Sequence, residues 1–139
     1  ERIRRWLSPD GILLLQVPNF DSWQSRLLGK RWTGLDIPRH RHHFAPVTLT
    51  RLLEQAAFSP REPQFFSLRD NAPAIVSSLF PGLDPVAARV RGLGGPALLR
   101  ESLYFGLVLL AQPLACLEAA CGRGGTLFMA ASKKHSTGD

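Results

Sequence analysis

The apolar run Ile12–Val17, ILLLQV, limits what this chain can fold into more than any other stretch. Ser8-Pro9-Asp10-Gly11, a tight-turn composition, precedes it, and Pro18-Asn19 stops it. A short apolar run between turn signals predicts a strand rather than a helix. Its nearly continuous apolar character predicts burial on both faces, as in a parallel sheet covered by helices. Pro and polar residues directly after such a strand are where a parallel sheet opens onto a ligand crevice. The expectation is an α/β fold with its site in the residues that follow Pro18.

Helical periodicity supplies the neighbours. Ile3, Trp6 and Leu7 predict a helix ending at the Ser8–Gly11 turn, and ERIRRWL reads as the last turns of a helix already under way, hence as part of a longer chain. Phe20, Trp23, Leu27 and Leu28 predict a short amphipathic helix closed by Gly29. Residues 32–46 have no period and read as an ordered loop. Pro46-Val47-Thr48 opens a further helix with Thr48 as a cap and Leu49, Leu52, Leu53, Ala56 and Ala57 as its stripe, and Pro60 closes it. A strand is expected over Gln64–Leu68, then an excursion of short helices and turns rich in Pro and Gly. Leu98–Ala120 is the longest helix, kinked or broken at Pro113. After the turn Gly122-Arg123-Gly124-Gly125, a closing strand is expected over Thr126–Ser132. The domain reading follows: 1–69 as one part of a catalytic domain, 70–121 as a helical insertion, 122–134 as the closing strand and 135–139 as a tail.

With 139 residues and a net charge of +6, the chain suits one small domain that favours anionic partners. The cations are scattered, with no basic run interleaved with aromatics, so nucleic acid is not expected as a partner. Cys116 and Cys121 form no metal or disulfide spacing and read as buried thiols in a reducing, cytoplasmic setting. Ser102–Leu117 carries no charge. It falls short of the roughly 20 residues that span a bilayer, so a core or interfacial helix is expected. Arg89, Arg91 and Arg100 precede it, which leaves peripheral membrane contact, or docking on a partner, as an alternative function.

The chemistry concentrates in Trp32–Phe44. His40-Arg41-His42-His43 lacks a recognised metal spacing, and two cations interleave it, so no metal is expected. An active-site reading gives His40 or His43 as general base, Asp36 as the group that orients it and Arg39 as a holder of a carboxylate or phosphate. Trp32 and Phe44 would wall the pocket. A structural reading, with one buried histidine and the others solvated, fits the spacing alone slightly better. Arg91-Gly92-Leu93-Gly94-Gly95 and Gly122-Arg123-Gly124-Gly125 read as turns, since neither follows a strand and opens a helix.

The order of residues resembles one family. Leu7-Ser8-Pro9-Asp10-Gly11, the apolar strand and Pro18-Asn19 are similar to the later part of class I S-adenosylmethionine-dependent methyltransferases. One subgroup continues P-N-x-x-S-W, then G-x-x-W-x-x-L-D-x-P-R-H-x-x-H-F, then a helix ending A-G-F. This chain matches with Pro18, Asn19, Ser22, Trp23, Gly29, Trp32, Leu35, Asp36, Pro38, Arg39, His40, His43 and Phe44. Ser67–Asn71 and Gly125–Phe128 look like later pieces of the same pattern. Asp10 and Ala57 replace the family's usual glycines, and Arg41-His42 replaces an apolar residue and Tyr. The cofactor loop G-x-G-x-G does not occur in the sequence.

The resemblance implies the C-terminal part of a Rossmann-like methyltransferase sheet. That part holds the last three strands, the final one antiparallel between the other two, with a helical insertion before it. It implies S-adenosyl-L-methionine as cofactor, bound mainly by an N-terminal half outside this sequence, with cofactor-binding residues unassigned here. Asn19, Trp32, Arg39 and Phe44 then face a small-molecule or lipid-like acceptor, beside His40, His43 and Asp36.

Overall fold

A computed structural model describes residues 2–92 and 97–134. In chain order the elements are α1 (Arg2–Trp6), β1 (Ile12–Pro18), α2 (Trp23–Leu28), α3 (Pro46–Gln55), β2 (Phe58–Pro60), α4 (Asn71–Leu79), α5 (Pro85–Val90), α6 (Ala97–Ala120) and β3 (Thr126–Lys133). Two single 3-10 turns, Gly29–Arg31 and Thr33–Leu35, lie between α2 and α3. The glycines at 94 and 95, Pro96 and the tail 135–139 fall outside the described residues.

The strands form one sheet in the order β1-β3-β2. β3 runs antiparallel to both neighbours, with Ile12 opposite Ser132, Pro18 opposite Thr126 and Phe58 opposite Lys133. β1 and β2 are therefore parallel to each other across it. Leu13, Leu15 and Val17 of β1 face a core of Leu49, Leu53, Phe58, Leu127, Met129 and Ala131. Each large aliphatic or aromatic side chain buried there contributes about 1.5–3 kcal/mol.

Several expectations change. β1 is not buried on both faces: Ile12 and Leu14 point outward and are 48% and 68% exposed, because no described element covers that side. The second strand is Phe58–Pro60 rather than Gln64–Leu68. Pro63 cannot donate to the ladder, and pairing resumes only as an isolated bridge between Gln64 and Phe128. α2 starts at Trp23, because Ser22 caps it by accepting the Ser25 N–H at 3.0 Å. Its buried residue is Gln24, while Leu27 is exposed. Thr48 sits in the first turn of α3 rather than ahead of it, and its hydroxyl accepts the Ala45 N–H at 2.9 Å.

α6 runs unbroken through Pro113 for 24 residues, long and apolar enough by length and composition to cross a membrane. The expectation that this apolar stretch is too short does not hold. Cys116 and Cys121 are exposed free thiols rather than buried ones. Inside the helical segment, Tyr104, Val108 and Ala115 of α6 pack on Ala72, Ile75 and Val76 of α4. α5 starts where Asp84 accepts the Val86 and Ala87 N–H groups at 2.8 and 3.0 Å.

Candidate functional site

The loop after β1 is tied to the turn before β3. Asn19, fully buried, donates from Nδ2 to the Gly124 carbonyl at 2.9 Å and accepts the Asp21 N–H at 3.0 Å. The Asp21 carboxylate pairs with Arg26 and Arg123, and the Arg26 hydrogen bond is the main reason its pKa is lowered. These bonds hold the carboxyl end of β1 in place and fix where the loop leaves it.

An open cavity of about 680 Å³ lies at that end of the sheet. Gln16, Val17 and Pro18 of β1 line one side, and Tyr104, Phe105 and Val86 of the helical segment line another. Trp32 and His40 reach it from the loop. Asp70 also lines it; its Oδ2 accepts from Gln16 Nε2 and from Ser67 Oγ, both at 2.6 Å. The Tyr104 hydroxyl shares a 3.0 Å hydrogen bond with Ser77 Oγ. Burial is the main cause that raises the Tyr104 pKa, and the nearby Asp84 charge adds to it. A phenol held neutral can donate a hydrogen bond toward a ligand.

The expected site residues separate into two groups. His40 and Trp32 line the cavity. Asp36 stands behind His40, with Oδ2 at 3.7 Å from Nδ1, close enough for charge interaction but long for a hydrogen bond. Arg39 does not reach the cavity lining; its Nε and Nη2 both donate to Asp36 Oδ1, at 3.0 and 2.8 Å. His43 is held away by a 2.9 Å hydrogen bond between Nε2 and the Leu35 carbonyl and by its tilted contact with Phe20. Phe44 bridges Asn19 through the backbone and packs against the sheet core. Asn19, His43 and Phe44 thus build the loop rather than line the cavity. Among the described residues no group of three or more His, Cys, Asp or Glu is placed to hold a metal ion.

A buried polar junction behind Trp32 was not anticipated. Gln24 Nε2 donates to Glu118 Oε1 and, at 3.1 Å, to the Asn71 carbonyl, while Gln24 Oε1 accepts from Trp32 Nε1 at 3.3 Å. Glu118 Oε1 also accepts the Gly125 N–H at 3.3 Å. Burial raises the Glu118 pKa, more than its two hydrogen bonds lower it. The available signal was that Glu118 is the one charge in 102–120, at helical spacing from Tyr104, Val108, Ala111 and Ala115.

The one glycine-rich turn among the described residues does not fit a loop for S-adenosylmethionine. The turn Gly122–Gly125 leaves a helix and enters a strand, the reverse of a cofactor loop. Its glycines pack on protein: a Cβ on Gly124 would lie 2.0 Å from the Phe65 carbonyl oxygen, and one on Gly125 would lie 2.7 Å from the Gln24 side chain. Gly124 and Gly125 therefore serve close packing within the protein.

A family model described as a methyltransferase domain matches residues 1–62. The match takes in β1, the His40 loop, α3 and β2, and stops before the helical segment. Residues 1–62 are thus similar to a methyltransferase domain. No curated protein and no solved structure matches the chain.

Proposed function

We propose that this chain supplies the acceptor side of an S-adenosylmethionine-dependent methyltransferase. The cofactor is gripped mainly by a glycine-rich region outside residues 1–139. The observation that carries the reading is the cavity at the carboxyl end of β1, faced by His40 within the segment that matches the methyltransferase model. The exposed outer face of β1, with Ile12 and Leu14, supports a further layer on that side.

In this reading the cavity orients an acceptor whose O–H or N–H points at His40. The imidazole takes the proton, and Asp36, steadied by Arg39, stabilises the imidazolium that results. Arg69 and Asp70 give the cavity rim its polar groups, while Val86, Tyr104 and Phe105 suit an apolar body, so a small-molecule or lipid-like acceptor is the class proposed.

His40→Ala in the complete methyltransferase should lower kcat about 10²- to 10⁴-fold, the range of a general base, with cofactor affinity unchanged. Unchanged turnover would remove His40 from the chemistry. Isothermal titration of residues 1–139 with S-adenosylmethionine should show no binding. A dissociation constant in the micromolar range would place the cofactor site within these residues and overturn the division proposed.

A further inference from the structure

A second cavity, of about 490 Å³, lies beside the acceptor cavity and is lined by cations. Arg31 and Arg91 line it together with Thr33, Ser77 and Ser78, and no acidic side chain does. Thr33 and Ser77 also line the cavity that His40 faces, so the two spaces share a wall. Both arginines stand on anchored backbone. Arg31 ends the 3-10 turn that the Trp32 N–H closes on the Gly29 carbonyl at 3.1 Å. Arg91 caps α5, with its N–H on the Ala87 carbonyl at 3.0 Å. The Thr33 N–H donates to Ser78 Oγ at 2.9 Å, which ties the Arg31 loop to α4.

Among the described residues, Arg26, Arg39, Arg69 and Arg123 each lie within ion-pair distance of an aspartate, whereas neither Arg31 nor Arg91 has a side-chain partner. The last turn of α4 brings roughly half a negative charge to this cavity, so two guanidiniums leave it positive. Two of the hydroxyls are engaged. Ser78 Oγ donates to the Ala74 carbonyl at 2.6 Å, and Thr33 Oγ1 lies 3.2 Å from Ser78 Oγ and 3.3 Å from that carbonyl. Ser77 Oγ and the Tyr104 hydroxyl share one bond, so the pair keeps a second proton to donate at the wall between the cavities.

We propose that this cavity is the anion subsite of the acceptor: it holds a phosphate-type group of the molecule whose reacting atom faces His40. The inference rests on the acceptor reading above and narrows it to phosphate-bearing molecules. A guanidinium presents planar pairs of N–H donors that match two phosphate oxygens. Two guanidiniums from different elements suit a group with close to two negative charges better than a carboxylate with one. The anion-holding role expected of Arg39 passes to Arg31 and Arg91, because Arg39 is engaged by Asp36. The phosphate belongs to a soluble molecule or to a lipid headgroup, and Val86, Tyr104 and Phe105 beyond the shared wall face its body.

The test is amide NMR titration of the full chain at constant ionic strength. Inorganic phosphate should move the Thr33, Ser77 and Ser78 signals, and acetate should bind more weakly. Arg31→Gln and Arg91→Gln should each weaken phosphate about tenfold, as loss of a charge-assisted hydrogen bond does. Both side chains are exposed, so circular dichroism should show an intact fold. Arg4→Gln/Arg5→Gln removes two charges from a basic cavity at the opposite end of the sheet and should leave phosphate binding unchanged. Tighter binding of dihexanoyl-phosphatidic acid than of glycerol 3-phosphate assigns a lipid source, and equal binding a soluble one; both must weaken with Arg31→Gln. The subsite is overturned if the three signals do not move, if binding survives both arginine variants, or if the Arg4/Arg5 variant loses as much. Acetate binding as tight as phosphate overturns the phosphate class. None of these readouts uses turnover, so failure of the role of His40 and failure of this subsite are separate results.

Discussion

The sheet unit and the helical segment are both rich in apolar side chains, yet they use them differently. In the sheet unit, Leu49, Leu53, Phe58, Leu127 and Met129 converge from α3, β2 and β3 on one face of the sheet. In the helical segment, Ala72, Ile75 and Val76 of α4 meet Tyr104, Val108 and Ala115 of α6, with Leu107 packed at the margin, while most other leucines of α6 are exposed. What joins the two is polar: Gln24, Glu118, Asn71 and the Gly124-Gly125 backbone. The lesson is that the seam between two apolar units can be specified by a few buried hydrogen bonds whose geometry admits one arrangement.

That seam is the place to break the comparison. The largest effect is expected from Gly124→Ala, whose Cβ would press on the Phe65 carbonyl oxygen, an atom that cannot rotate away. A loss of about 3 kcal/mol is expected from such overpacking, read as a lowered Tm with both units melting earlier. An unchanged Tm would mean that the turn and the Phe65 backbone move apart freely.

Gln24→Leu comes next. It leaves the Glu118 carboxyl, the Trp32 indole N–H and the Asn71 carbonyl short of a partner, at a cost of about 2–3 kcal/mol in urea denaturation. Glu118→Gln is the conservative counterpart, since its amide oxygen can accept the same two hydrogen bonds. The Glu118 pKa is raised above the usual 4.5. The folded state therefore keeps a proton that the unfolded state releases. Its contribution is full below the unfolded value and is lost as pH rises from there through the raised folded value. Glu118→Gln should flatten that part of the profile and gain relative stability as pH rises above the usual carboxylate value. A profile with the same slope as the parent would show that Glu118 is not the titrating group.

The smallest effect sharpens the sheet side. Ala57 connects α3 to β2 with φ at +59°, a left-handed conformation in which a Cβ is unfavourable. Ala57→Gly should stabilise the chain by about 0.5–1 kcal/mol, measured as a higher urea midpoint with unchanged m. A loss would show that the Cβ makes packing contacts worth more than the strain.

The contrast also explains what could be read in advance. β1, α3 and β3 were legible because strong local signals, an apolar run between turns, Pro46 at a helix start and a glycine turn, coincide with tertiary burial. The strand at Phe58–Pro60 was not, because three residues give no period and Pro60 argues against a strand. α6 was legible as a helix but not in its orientation: with leucines on both sides, periodicity carries no direction. In the site, Trp32 was expected as a pocket wall and His40 as a general base, and both line the cavity at the end of β1. His43 and Asn19 carry polar groups that could equally have faced a ligand, and only the carbonyls of Leu35 and Gly124 show that those groups are engaged. Gln24 was hidden by its neighbours, since the stripe of Trp23, Leu27 and Leu28 pointed to a different face of α2.

The register that sets Ile12 opposite Ser132 has a consequence for the order of events during synthesis. β1 leaves the ribosome well before the strand it pairs with, because α2 to α6 lie between them in the chain. Between those moments α6 is already made, and neither the sheet nor the Glu118 junction can close around it. Pairing between such distant segments is slow and leaves apolar surface waiting. A chain built this way leaves its leucine-rich helix exposed and unsealed until β3 arrives to close the sheet and the Glu118 junction.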